Sequence, residues 1–253
     1  MDAPFSPDVL DELTKYDSPT ICNIIELFDC RARNVGYAHA DIRAMYPQLP
    51  PMVGYAVTAT FRSAHAPEAG EPCATLPDQI EAFSSIPKPW VVVIQDLDHP
   101  LGAAVYGEVM VSTYKGFGAV GLVTNGYGRD ILQIEPLNFA CFTAGAAVSH
   151  AYCRVIDTQV PVEIGGLTVK PGDLLHGDAN GLTNIPKTIV NEVAGACAEF
   201  VDAEEVIVQA ARQKNPDLDT YRKAVQEFGK RRAALTDRLR KGTAGGDDGD
   251  ALA

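Results

Sequence analysis

AVGLVTNGYGRD, residues 119–130, begins as a short apolar run and ends on a glycine-rich turn that closes with a charge pair. An apolar run of this length between glycines reads as a buried strand. The NGYG segment reads as a tight turn. Just upstream, YGEVMVSTYKGFG (106–118) reads as a helix that stops at Gly116 or Gly118. A helix from Gly107 to Gly116 advances about 15 Å. The strand behind it returns by roughly 20 Å. The turn at 125–130 therefore lands beside the start of the helix that carries Glu108. Glu108, Arg129 and Asp130 can then share one pocket.

The pattern extends outward from this unit. WVVVIQ (90–95) is a second continuous apolar run, and VGYAVTATFRSA (53–64) is rich in β-branched and aromatic residues. Residues 8–16 read as a short helix. SPTICNIIELF (18–28) reads as another, with Ser18 as cap, Pro19 at the first position and Ile21, Ile24, Ile25 and Phe28 at helical spacing. Residues 30–50 look irregular. Short β segments are expected near 139–143, 152–159, 162–169 and 173–176, with turns at Gly165-Gly166 and Pro171-Gly172. A helix follows from Lys187 to about Arg212, then a break at Asn215-Pro216 and a strongly charged helix at about 218–240. No internal repeat is visible. The expected organisation is a layered α/β or α+β domain over 1–212, a charged C-terminal helix over 213–241 and a disordered tail over 242–253.

The 253 residues carry 21 Lys and Arg against 33 Asp and Glu, a net charge of −12. Such a surface disfavours nucleic acid and anionic membranes, although a local cationic pocket still accepts an anionic substrate. The start, MDAPFSPDVLDEL, lacks the basic and apolar regions of a signal peptide, and no apolar run approaches the ~18 residues of a membrane span. A cytoplasmic location is the expectation. The six cysteines form no C-x-x-C pair and read as reduced, mostly buried thiols. The five histidines show neither i, i+4 pairing nor H-E-x-x-H, which argues against a histidine-based zinc site.

The pocket around Glu108 would combine three properties. Backbone N–H groups at the helix start, near Val109 and Met110, form an anion site. The Arg129 guanidinium grips a carboxylate or carbonyl oxygen. Glu108 and Asp130 can hold a hard divalent cation directly or through water. A 2-oxo acid suits this arrangement, and the site would stabilise its enolate. A plainer reading stands beside it: Arg129 and Asp130 as a surface pair, and Glu108 as a helix-start residue favoured by the dipole. Gly116-x-Gly118-x-x-Gly121 matches a dinucleotide fingerprint only in letters, because these glycines close a helix and enter a strand, the reverse of the order required. Asp173, Asp178 and Asn180 read as shaping a hairpin. Lys115 and Lys170 lie beside turns and read as exposed, which disfavours a Schiff base.

In this setting the chain resembles the RraA-like family, which includes 4-hydroxy-4-methyl-2-oxoglutarate / 4-carboxy-4-hydroxy-2-oxoadipate aldolases and regulators of ribonuclease E activity. SPTICNIIE (18–26), GYAVTATF (54–61), GEVM (107–110), AVGLVTNGYGRD (119–130) and VKPGDLLHGDANGLTNIP (169–186) resemble its motifs in order. The resemblance implies an α/β/β/α sandwich of the swivelling type, assembled as a homotrimer or homohexamer. It implies a lyase dependent on Mg²⁺ or Mn²⁺ that releases pyruvate from a 4-hydroxy-2-oxo acid, with oxaloacetate decarboxylation as a side activity. Arg129 would bind the pyruvate moiety, Asp130 the metal, and Glu108 the water shell of the metal. The amides of Gly107, Val109 and Met110 would hold the substrate carboxylate. A glutamate from a neighbouring subunit would complete the site, matched here to Glu205, with Glu204 close behind. Asn125 and Asn23 depart from the family's aspartates, which leaves the particular 2-oxo acid open. The alternative is a non-catalytic member that docks on a ribonuclease or another protein.

Overall fold

The computed structural model describes residues 3–244. Two compact units divide it, one formed by Met1–Ser18 and Asn34–Lys187, the other by Pro19–Arg33 and Thr188–Ala253.

In the first unit, α1 (Pro7–Leu13) precedes the sheet. The helix α2 (Ser18–Phe28) then leads into the second unit, and the chain returns through β1 (Arg43–Ala44) and β2 (Met52–Arg62). Next come α3 (Leu76–Phe83), β3 (Trp90–Asp96), β4 (Ala104–Tyr106), α4 (Glu108–Gly116), β5 (Ala119–Thr124), β6 (Tyr127–Gly128) and α5 (Ile131–Ile134). Short strands follow: β7 (Ala140–Thr143), β8 (Gly145–Ala146), β9 (Arg154–Thr158), β10 (Val162–Ile164), β11 (Leu167–Val169), β12 (Leu174–Asp178) and β13 (Gly181–Ile185). The main sheet runs β1-β7-β5-β3-β2-β12-β13, with β9 also on β2. Strands β2, β3, β5 and β7 are mutually parallel, β1, β9 and β12 join them antiparallel, and β13 pairs antiparallel with β12.

The parallel core explains the unbroken apolar runs. Ten of the eleven residues of β2 are buried, because both faces of the strand are covered. Val92 and Ile94 point to one cluster with Phe83, Val111 and Tyr114, on the side of α3 and α4. Val91 and Val93 point to another with Val162, Ile164, Leu167 and Val169, the β10–β11 hairpin. The period-2 alternation of a strand thus feeds a helix layer on one face and a hairpin layer on the other. Strand β2 is long enough to take two antiparallel partners on one edge, β12 beside 52–55 and β9 beside 59–62. The β10–β11 turn falls at Gly165-Gly166, with φ of 52° and 79°, as the sequence required.

The second unit is helical. Its main elements are α2, α6 (Val190–Ala211) and α7 (Leu218–Ala244). Phe200 and Phe228 meet edge to face at 6.3 Å, Arg238 pairs with Glu199, and Arg240 Nε donates to the Leu27 carbonyl at 2.8 Å. The tail expected to be disordered lies, from residue 245 onward, outside the described residues. Among the described residues no helix is long and apolar enough to cross a membrane. One expectation is corrected: only Cys141 and Cys197 are buried, while Cys30, Cys73 and Cys153 are exposed. Cys30 follows α2, Cys73 precedes α3 and Cys153 precedes β9, all in connecting segments, which run over protein surfaces.

Candidate functional site

Three very short parallel strands build the site. They form a separate sheet in the order β4-β6-β8. Each ends where a candidate segment begins: β4 delivers Gly107–Met110, β6 delivers Arg129–Leu132, and β8 delivers Ala147 and Val148. Ligand sites gather at the carboxyl ends of parallel strands because the loops there converge. The ribbon is tied together by the Arg129 amide donating to the Tyr106 carbonyl at 3.1 Å and the Ala147 amide donating to Gly128 at 3.0 Å.

The expected meeting of helix start and turn is realised. The Glu108 amide donates to Asp130 Oδ2 at 3.0 Å, and Arg129 Nε lies 3.8 Å from the same oxygen. Asp130 thereby caps α4 from a distance of 22 residues, an acceptor placed where the helix dipole favours negative charge. Helix geometry leaves the amides of Val109 and Met110 without intrahelical partners. Free amides at a helix start favour an anion. Gly107 precedes them in extended backbone, so its lack of a side chain is a matter of space and not of conformation. A Cβ there would come within 2.5 Å of Asp130 Oδ2 and 3.1 Å of Arg129 Nε.

Asp130 itself is held in the left-handed region, with φ 59° and ψ 38°. For a residue other than glycine this conformation costs about 1–2 kcal/mol. Its carbonyl accepts the amides of Gln133 and Ile134, so the first turn of α5 locks it from behind. Arg129 and Asp130 remain partly exposed, and the pair is separated by too long a distance for strong ion pairing. Their charges are available to a ligand. A groove of about 390 Å³ runs over Arg129–Gln133 and Ala146–Val148. Its rim is apolar: Leu132 is 77% exposed, Val148 95% and, on the neighbouring helix start, Val109 72%. A cavity of about 500 Å³ elsewhere in the unit, between α1 and the start of β2, carries Asp11 as its one ionisable lining residue. It offers no comparable chemistry.

The donor set suits a hard divalent cation. Among the described residues no group of three or more His, Cys, Asp or Glu side chains is gathered to hold a metal alone. Asp130 and Glu108 carry oxygen donors of the kind a hard divalent cation accepts while keeping most of its water. Glu205 lies exposed on α6 in the second unit. Lys115, which lies beside a turn, is tied by its ammonium to the Leu137 carbonyl. The G-x-G-x-x-G letters close α4 and enter β5, the arrangement that excluded a dinucleotide turn. Asp178 shapes the β12–β13 hairpin and accepts from the amides of Ser18 and Asn180.

Sequence reasoning missed the tyrosines that support the turn. Tyr46 Oη donates to the Ile131 carbonyl at 2.7 Å, and the Tyr106 ring occupies the space a side chain at Gly128 would need. It also missed that Cys153 lies in the field of Arg129. Although Cys153 is an exposed residue, partial desolvation raises its thiol above the usual range, and the Arg129 guanidinium partly opposes this.

Known proteins agree with this architecture. The family model described as Aldolase/RraA matches residues 8–183. A protein of Halalkalibacterium halodurans, named provisionally a 4-hydroxy-4-methyl-2-oxoglutarate aldolase, is 29% identical over 160 residues, 63% of this chain and 67% of its own. An uncharacterised protein of Pseudomonas syringae pv. tomato superposes with a TM-score of 0.69 at 22% identity, over 88% of this chain and 97% of that one. Streptomyces coelicolor RraAS2, described as an unusual member of the RNase ES inhibitor RraA protein family, superposes with a TM-score of 0.63 at 22% identity, over 79% and 96%. At such identities the two structures speak for the fold alone. The chain belongs to the RraA-like family; its mixed α/β fold matches those solved structures, and it carries a helical C-terminal part.

Proposed function

We propose that this protein is a divalent-metal-dependent lyase that releases pyruvate from a 4-hydroxy-2-oxo acid by retro-aldol cleavage, with oxaloacetate decarboxylation as a side activity. One observation carries the reading: the start of α4, the Arg129 guanidinium and the Asp130 carboxylate converge on one another at the mouth of a groove. An anion site, a cation and a metal-binding carboxylate side by side match the three oxygens of a 2-oxo acid. The name of the H. halodurans relative points the same way.

In this reading the amides of Val109 and Met110, with Gly107 leaving room, bind the substrate carboxylate. Asp130 would hold Mg²⁺ or Mn²⁺ directly and Glu108 through water, with Glu205 of a neighbouring subunit as a further donor. The ion, when bound, supplies Lewis acidity toward the keto oxygen. Loss of the 4-hydroxyl proton lets the C3–C4 bond break. The electron pair passes to C3 and the C4 oxygen becomes a carbonyl. Arg129 neutralises the enolate oxygen that forms, a charge absent from the substrate, so its interaction favours the transition state selectively. Protonation at C3 completes pyruvate.

The test is pyruvate formation from 4-hydroxy-4-methyl-2-oxoglutarate and from oxaloacetate, with Mg²⁺, Mn²⁺ or a chelator. Metal-dependent release is expected, and Arg129→Ala should lower kcat/KM by roughly 10²–10³ while the protein stays folded. Absence of pyruvate from both substrates with metal present, or full activity in Arg129→Ala, overturns the proposal. A second reading rests on the apolar rim of Leu132, Val148 and Val109, a surface suited to protein contact. In it the chain binds and regulates a ribonuclease or another protein, as the description of the S. coelicolor neighbour suggests for that protein. Stoichiometric capture of such a partner without any turnover would select it.

A further inference from the structure

We infer that Tyr46 is a positioning residue for Asp130, acting through the main chain of the turn; its link to catalysis rests on the metal reading of Asp130 above. Tyr46 lies in the irregular segment between β1 and β2, far from the site in sequence. Its side chain is 6% exposed and packs in the cluster with Tyr106, Ile134 and Phe139. Its hydroxyl donates to the Ile131 carbonyl at 2.7 Å.

That carbonyl is placed to control Asp130. Ile131 is the first residue of α5, and its carbonyl also accepts the Glu135 amide that closes the helical turn. The turn is short, four residues, so each of its few hydrogen bonds counts heavily toward whether it forms. The same turn supplies the Gln133 and Ile134 amides that hold the Asp130 carbonyl. Asp130 needs that restraint because its left-handed backbone is disfavoured for an aspartate. On the opposite side the Arg129 amide is anchored to Tyr106. Removing the Tyr46 hydroxyl frees the helical side of this clamp. The turn then samples conformations in which the carboxylate no longer meets the Glu108 amide. The hydroxyl touches neither the groove nor the carboxylates, so its effect is on position and not on chemistry.

Tyr46→Phe keeps the ring and removes only the donor. Hydrogen exchange of the full-length protein should show the amides of Gln133 and Ile134 opening about five- to tenfold faster than in the wild type, the effect of one buried hydrogen bond, with exchange in β2, β3 and β5 unchanged. Mn²⁺ binding, read by the loss of free-ion paramagnetic resonance signal, should weaken by a similar factor, with Asp130→Ala as the reference for loss of the site. A lower kcat with little change in KM should accompany it. Unchanged exchange at 133–134 overturns the inference, as does unchanged Mn²⁺ affinity when the wild type binds Mn²⁺ more tightly than Asp130→Ala. If the wild type and Asp130→Ala bind Mn²⁺ alike, the metal reading of Asp130 fails and the exchange comparison alone decides the role of Tyr46.

Discussion

The site turns on single atoms. Gly107 marks the closest approach, since its missing side chain makes room for Asp130 Oδ2 and Arg129 Nε. Gly107→Ala forces those groups outward, an overpacking that costs about 1–3 kcal/mol where neighbours cannot yield. We expect a folded protein whose metal-dependent turnover falls about a hundredfold, the scale of an ångström-sized misplacement. Near-normal steady-state rates in that variant would show that the cradle is slack. Asn125 is a second case. Its side chain accepts the Asp96 amide at 2.7 Å and donates to the Asp96 carbonyl at 2.9 Å. An aspartate there could make only the first bond. The pair of bonds is a local solution for joining the end of β3 to the end of β5.

At the scale of elements, a buried histidine fastens α1 to the sheet. His176 on β12 is fully buried, with Nε2 3.1 Å from the Leu13 carbonyl and Nδ1 2.9 Å from Ser18 Oγ. Burial holds its pKa below the ordinary value of 6.5, outweighing the carbonyl of Leu13 and the charge of Asp178. The unfolded chain therefore binds this proton first, and by linkage stability falls as the pH drops below about 6.5 toward the folded-state value. Asp96 works in the opposite sense, because burial raises its pKa above the ordinary carboxylate range. Thermal unfolding followed between pH 7.5 and 5 should show a falling Tm, with the slope reduced in His176→Gln. An equal slope in both proteins would remove His176 as the cause.

Across the whole molecule, charge and shape make different demands. A net charge of −12 repels anions at long range, so under the proposed function an anionic substrate would depend on Arg129 and the α4 amides at short range. The apolar rim is the larger anomaly. Val148, Leu132 and Val109 stand in solvent around a polar site, a cost that burial against a neighbouring subunit would reverse. We expect sedimentation to show a homotrimer or homohexamer, and Val148→Asp to shift it toward monomer. A monomeric wild type at micromolar concentration would contradict the expected assembly and the contribution of Glu205 with it.

Much of this is legible in the sequence. The α4–β5 return, the buried strands at 90–96 and 119–124, and the glycine turn at 165–166 follow from periodicity and backbone sterics, which act between near neighbours in the chain. That is why the proximity of Glu108 to Asp130 could be inferred: one helix and one strand of known rise separate them. The β4-β6-β8 ribbon could not be read, because strands of two or three residues are too short to show a period. Nor could the two-partner edge of β2, the exposure of Val148, or the reach of Tyr46 to a carbonyl 85 residues away. Those depend on which surfaces meet after the chain has folded. A hydrogen bond between distant segments constrains neither segment's local pattern and so leaves no periodic trace in the sequence.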